Sequence, residues 1–383
     1  MKIVYVYSDH PVEWKCSLER YAVPAKAING TNRNSASLLT LEEFIFDTPA
    51  ARNACDTADL IVVQRNLFGP VLSAVQHWKA RDKTVIADFD EAFDLLPENH
   101  HSYLFWSQGY LRGPDGQIGK LDPPPLVQFK WGLRLVDAAT AASRRLADDW
   151  RSFSDVHFLP SYLELEKYRN TLSSDHDDIW IGWSGSSAHL QSFTDSGVLT
   201  ALQHVCQARP QVKVVICGND RQIFDQLKLP EDQKIFSPWL STEKWAQLLA
   251  NFDIGIQPIS GDYAHRRGCT RILEYMVMKI PWVASESPAH HDLRSYGWLI
   301  HNTTSAWERM LFDMVDHLED YRAEARKEAY LYGLSQGIEE NVQTILQTYK
   351  NILAHSAAHS AAHSSPLVPA KKTNNDLHLS QSQ

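Results

Sequence analysis

The residues whose types and spacing could do chemistry lie between Asp253 and Ser285, a stretch that reads strand, polar loop, helix, proline, strand. Its loop and helix carry Arg266, Arg267, Arg271 and Glu274. A helix starting near Arg267 would place Arg267, Arg271 and Glu274 on one face, at i, i+4 and i+7. Cys269, Ile272, Leu273, Met276 and Val277 would then face the other way. Guanidinium forks beside a helix N-terminus suit a diphosphate, and an adjacent carboxylate suits a ribose diol. The plainer reading of the same spacing is a solvated stripe of salt bridges.

Three more strand ends offer polar groups where a parallel sheet binds its ligands. After Ile179–Ile181 comes Gly182-Trp-Ser-Gly-Ser-Ser-Ala-His189, where Gly185 and Ser186 could bring backbone N–H groups to an anion. An ordinary strand-to-helix turn would look the same. Gly218 and Asn219 follow the run Val212–Cys217, and Trp239 follows Phe236 within a bend, where its ring could pack near a nucleobase. In the first half, Asp88-Phe-Asp90-Glu91 contains a D-x-D, and Ser8-Asp9-His10 follows the opening strand. Asp90 is expected to line the cleft as a base or acceptor contact, with a turn or cap as the alternative. His355, His359 and His363 would stack on one helical face, but no thiol or carboxylate nearby completes a metal site, so no metal is expected.

The elements that must position these residues alternate, strand-sized apolar runs with helical patterns, as in a doubly wound parallel sheet. In the first half the strands are expected at 2–7, 59–64, 84–89, 138–142 and 157–160. In the second they are expected at 179–183, 212–217, 234–236, 253–257, 282–285 and 298–301. The polar stretch 169–178 carries no periodicity and is expected to join the halves. Residues 109–125, rich in Gly and Pro, are expected to form a long loop or lid. The expected organisation is a first domain over 1–170, a second over 171–330, a returning helix over 331–354 and a disordered, low-complexity tail over 355–383.

A length of 383 residues exceeds one ordinary core. The 37 basic and 46 acidic side chains give a net charge of −9, which argues against broad nucleic-acid binding. Five cysteines without a C-x-x-C pair read as reduced cytoplasmic thiols. The first residues lack a signal-peptide core, and no apolar run is long enough to span a bilayer.

The segments Asp253–Pro258, Arg271–Met276 and Lys279–Ser285 resemble the donor-binding region of retaining bacterial glycosyltransferases of the GT-B type, the group 1 or family 4-like enzymes. The resemblance extends to residues 181–189, 214–218, 296–302, 85–97 and 138–144. It implies an α/β GT-B architecture, with two Rossmann-like domains facing across a cleft. It also implies a nucleotide diphosphate sugar as donor on the second domain, and a glycan or other hydroxyl acceptor on the first. No further cofactor is implied. Glu274 matches the last carboxylate of the family's Glu-x7-Glu motif, which holds the donor ribose, whereas the first motif position is Arg266. The reading assigns Arg267, Arg271, Glu274 and Asp90 to catalysis, and Gly185, Ser186, Gly218, Asn219, Trp239 and Arg266 to donor binding. The expected location is the cytoplasm or the inner face of a membrane. Peripheral membrane contact would need a surface assembled from several elements. Two alternatives stay open: a catalytically silent nucleotide- or sugar-binding module, suggested by Arg266, and a phage-type DNA-base glucosyltransferase.

Overall fold

The computed structural model describes residues 1–9, 16–113, 116–174 and 176–364, with side chains described as far as residue 358. His10, the side chains of His359 and His363, and the tail expected beyond Ser364 lie outside the described residues.

Near-continuous apolar runs such as Leu60–Gln64 are buried on both faces, which is what a strand inside a parallel sheet requires. Two six-stranded sheets form from such runs, and every ladder in them is parallel. The first contains β1 (Lys2–Tyr7), β2 (Ser35–Thr40), β3 (Leu60–Gln64), β4 (Thr84–Phe89), β7 (Ala138–Ala141) and β8 (Val156–Phe158), in the order β2-β1-β3-β4-β7-β8. The second contains β9 (Ile179–Gly185), β10 (Val212–Gly218), β11 (Lys234–Pro238), β12 (Ile254–Gln257), β13 (Trp282–Ser285) and β14 (Trp298–Ile300), in the order β11-β10-β9-β12-β13-β14. The strand order reverses between β1 and β3 in one sheet and between β9 and β12 in the other, which are the places where doubly wound sheets open a crevice. The α/β, doubly wound architecture expected from the sequence is the one observed.

Several features differ from the sequence reading. β2 has no apolar signature because it is a mostly exposed edge strand. The 109–125 segment holds a hairpin, β5 (Tyr110–Arg112) and β6 (Ile118–Lys120), and the prolines at 123–125 fall beyond it. The helix expected from near Arg267 begins at Thr270, because Arg267 is extended and Gly268 follows it. Finally, residues 355–364 continue the closing helix, Ile338–Ser364, beyond the point where the tail was expected to start. All five cysteines are free. No helix among the described residues is long and apolar enough to cross a membrane.

The chain changes cores between Tyr162, packed with the first sheet, and Leu163, packed with the second, ahead of the polar stretch expected to carry the break. It returns at residues 336–338, where Leu163 N–H donates to Gln336 O at 3.0 Å and Ile338 N–H to Leu163 O at 2.8 Å. The two passages thus touch. Past that point, Ile338, Ile345, Leu346 and Tyr349 of the closing helix pack against Ile3, Tyr5 and Tyr21 of the first half.

One buried network organises the first half. The Asp88 carboxylate, at the end of β4, accepts from Arg20 Nε at 3.0 Å, Tyr21 Oη at 2.7 Å and Thr140 Oγ1 at 2.5 Å, and it also pairs with an Arg20 Nη2. Arg20 Nη1 donates in turn to Leu159 O at 2.6 Å, at the exit of β8. Removing one member of a buried pair strands the other charge in a poorly solvating interior, a loss of roughly 3–5 kcal/mol. Asp88→Ala is therefore expected to lower the free energy of denaturant unfolding by about that amount. A loss below about 1 kcal/mol would show that the network carries little stability.

Candidate functional site

The two switch points open into one cleft of about 2680 Å³ lined by both halves. Ligand pockets for a single small molecule run roughly 300–1,000 Å³, so this space has room for more than one.

On the second half, Gly185 ends β9 directly beside Gly218 of β10. A Cβ at Gly185 would lie 2.5 Å from the Trp183 ring, and one at Gly218 would lie 2.9 Å from Gly185 O. Close backbone approach therefore requires both glycines. Ser186 leads into a short turn, Ser187–His189, and Trp239 stands half-exposed at the cleft beyond β11. Asn219 also lines the cleft.

Glu274 lies on the helix Thr270–Val277 and is buried. Its Oε1 accepts from Tyr168 Oη at 2.8 Å and Trp245 Nε1 at 3.0 Å, while Oε2 accepts from Arg271. The Arg271 guanidinium also sits 4.6 Å from the centre of the Trp245 ring. The alternative of a solvated stripe does not hold at this pair: the carboxylate is enclosed, and Arg271 is held at the cleft wall by a charge on one side and a ring on the other. Arg267 lies in the preceding loop, 3.0 Å from Tyr263 Oη and 3.9 Å from Glu91 of the first half. Burial, reinforced by Arg267 and Arg271, holds the His189 imidazole well below its usual range.

Arg266 goes elsewhere. Its Nε donates to Asp149 at 2.7 Å and its Nη1 to Asp262 Oδ1 at 3.1 Å, while its backbone carbonyl accepts from Ser143 Oγ at 2.6 Å. These partners turn it out of the cleft and into a clasp with the first half. Tyr263, three residues earlier, packs into the first half's core.

On the first half, the two aspartates of the D-x-D have different surroundings. Asp88 is consumed by Arg20, Tyr21 and Thr140. Asp90 lines the cleft 3.6 Å from Arg65, whose other nitrogen is 3.9 Å from Asp9. Burial raises the Asp90 carboxyl, and Arg65 offsets this only in part. Glu91 is also pushed up by burial, but Arg267 and Arg65 outweigh that and hold it below the usual carboxylate range.

Arg65 and Glu19 are cleft residues outside the sequence motifs, and Glu91 is a third, quoted with the D-x-D but given no role there. Arg65 immediately follows β3, so the strand-end rule itself could have found it. Glu19 carried no such signal, since it precedes Arg20 on a short helical segment and meets Arg271 and Glu274 only through the tertiary fold.

Facing Rossmann-like sheets with opposed switch points across one cleft define the GT-B architecture. The solved structure of Anabaena HepE in complex with UDP and glucose shares the fold at a TM-score of 0.63 and 12% identity, covering 92% of this chain and 100% of that one. Sucrose-phosphate synthase from Thermosynechococcus elongatus is similar at 0.61 and 12%, covering 92% and 99%. A putative UDP-N-acetylglucosamine 2-epimerase from Listeria monocytogenes is similar at 0.52 and 11%, covering 91% and 95%. No protein-family profile and no curated protein sequence matches the chain.

Burial and the neighbouring Glu274 raise the Glu19 carboxyl to about 7, against the opposing pull of Arg271 and Lys167. An acid whose pKa rises on folding favours the native state below its unfolded value, and that contribution is lost as pH rises through the folded value. Glu19→Gln should therefore raise the melting temperature relative to the parent, by a margin that widens from pH 5 to pH 8. A margin that is flat across this range would contradict the assignment.

Proposed function

We propose that the chain is a glycosyltransferase that moves a sugar from a nucleotide diphosphate sugar to a hydroxyl acceptor, with retention of configuration. The observation that carries this reading is the placement of Arg267 and Arg271, with Glu274 behind Arg271, on the wall of a cleft with room for more than one small molecule, at the switch points of two facing sheets. UDP-glucose-bound HepE, which has the same fold, supports a nucleotide-sugar donor.

In this reading the donor diphosphate lies against Arg267, Arg271 and the Gly185–Ser186 backbone, with Asn219 and Trp239 on the nucleoside side. A carboxylate has about four acceptor sites. Three of those on Glu274 are taken by Tyr168, Trp245 and Arg271, which leaves one for a ribose hydroxyl. The acceptor enters beside Asp90, Arg65 and Glu91. As the bond from the anomeric carbon to the phosphate oxygen breaks, negative charge grows on the departing diphosphate, and the two guanidinium groups stabilise it. The acceptor oxygen bonds to the same face of the anomeric carbon and passes its proton to the departing phosphate oxygen. Arg266, at the family's first motif position, contributes by clasping the halves and not by touching the sugar.

The test is a panel of nucleotide sugars with simple sugar acceptors, read as released nucleotide diphosphate. Losing one charge-stabilising donor costs on the order of a hundredfold or more in kcat. Arg271→Ala and Arg267→Ala should each show a loss of that size. Unchanged turnover in both variants would sink the site. Nucleotide sugar that binds yet never turns over would identify a silent binding module, and acceptor-free epimerisation would identify an isomerase; either would overturn the transferase reading.

A further inference from the structure

Eleven large apolar side chains stand exposed among the described residues, and six of them fall within one short stretch: Leu104, Tyr110, Leu111, Ile118, Val127 and Trp131. They belong to three consecutive elements, the helix Tyr103–Gln108, the β5–β6 hairpin and the helix Pro125–Leu135. The first helix packs on both the hairpin and the second helix, so the three make one continuous region. Every residue of the two hairpin strands is exposed. On the helix Pro125–Leu135, Phe129, Gly132 and Leu133 turn into the core. That leaves Val127, Trp131 and Arg134 at i, i+4 and i+7 along the outer face, with Lys130 half-buried beside them over the Trp150 and Phe153 rings.

Charge separates this region from the rest of the chain. Between residues 103 and 135 stand Arg112, Lys120, Lys130 and Arg134 against Asp115 and Asp122, a net of 4 − 2 = +2. The whole chain is at −9, so everything outside the stretch sums to −9 − 2 = −11. We propose that this face, formed by the hairpin and its two flanking helices, docks the protein on an anionic lipid bilayer. Tyr and Trp suit the boundary between headgroups and acyl chains, and the lysines and arginines pair with anionic headgroups. The acidic remainder is repelled by the same surface, which fixes the orientation of docking. The helix Tyr103–Gln108 joins the docking face to the cleft, since it exposes Leu104 outward while Phe105 and Trp106 line the cleft. Docking would thus set the cleft wall about one helix diameter, ~10 Å, from the lipid.

The inference is independent of sugar transfer, and its test contains no donor. The full chain is sedimented at low salt with vesicles of phosphatidylcholine alone and with vesicles of equal parts phosphatidylcholine and phosphatidylglycerol. Binding is expected to the anionic vesicles, weaker binding to the neutral ones, and release as salt is added. Each basic residue removed, in Lys120→Gln and Arg134→Gln, should weaken partitioning about fivefold, the equivalent of ~1 kcal/mol per charge. Ile118→Ser combined with Trp131→Ser should weaken it on both vesicle types. All four positions are exposed, and the only ring contacts removed among the described residues are those of Lys120 over Tyr110 and Arg134 over Phe153, so a cooperative melt within a few degrees of the parent would report intact folding. The proposal fails if the parent stays in solution with anionic vesicles, or if the variants bind as it does. It also fails if sedimentation velocity finds a dimer that Trp131→Ser dissolves, because the face would then belong to a second copy of the chain.

Discussion

The first half is arranged around the buried charge pair of Arg20 and Asp88. Two ions taken out of water are tolerated only when their remaining hydrogen-bonding capacity is filled. Tyr21, Thr140 and Leu159 O fill it here, which ties β4, β7 and the exit of β8 to the segment carrying Arg20. The Tyr5–Tyr349 hydroxyl pair brings the closing helix into the same core. The pair also decides which carboxylates remain for the cleft. Glu19 precedes Arg20, and Asp90 and Glu91 follow Asp88 closely, so fixing the ion pair presents these three acids to the space between the halves.

The cleft then works by opposing charges supplied from two sides. The second half brings Arg267 and Arg271, and the first brings Asp90, Glu91 and Glu19 with Arg65 among them. A guanidinium that meets only acids would be neutralised. Arg267 keeps a loose contact of 3.9 Å to Glu91, and Arg271 is held from behind by Glu274, so neither is closed off from the cleft that both line. Arg266 has the opposite fate: with Asp149, Asp262 and Ser143 as partners it becomes part of the joint between the halves. Arg266 thus fastens the two halves and does not line the cleft.

Much of the fold was legible because parallel strands buried on both faces must be apolar throughout, as in Ile61, Val62 and Val63. β2 escaped notice because an edge strand with exposed Ser35 and Ser37 has no such pattern. The hairpin escaped because three-residue strands among glycines and prolines resemble a loop. Within the site, Arg271 and Glu274 are helix neighbours, and their spacing alone brings them together. Glu91 with Arg267 and Glu19 with Glu274 join residues far apart in the chain, so only the closing of one half on the other reveals them. The orientation of Arg266 was unreadable for the same reason, since Asp149, its partner, lies 117 residues away.

The most direct test of the account is a crystal structure of the chain grown with a nucleoside diphosphate. It should place the diphosphate within hydrogen-bonding distance of Arg267, Arg271 and the Gly185–Ser186 backbone, with a ribose hydroxyl on Glu274. A nucleotide seated outside the cleft, or in it with both arginines still turned to Glu91 and Glu274 alone, would contradict the account.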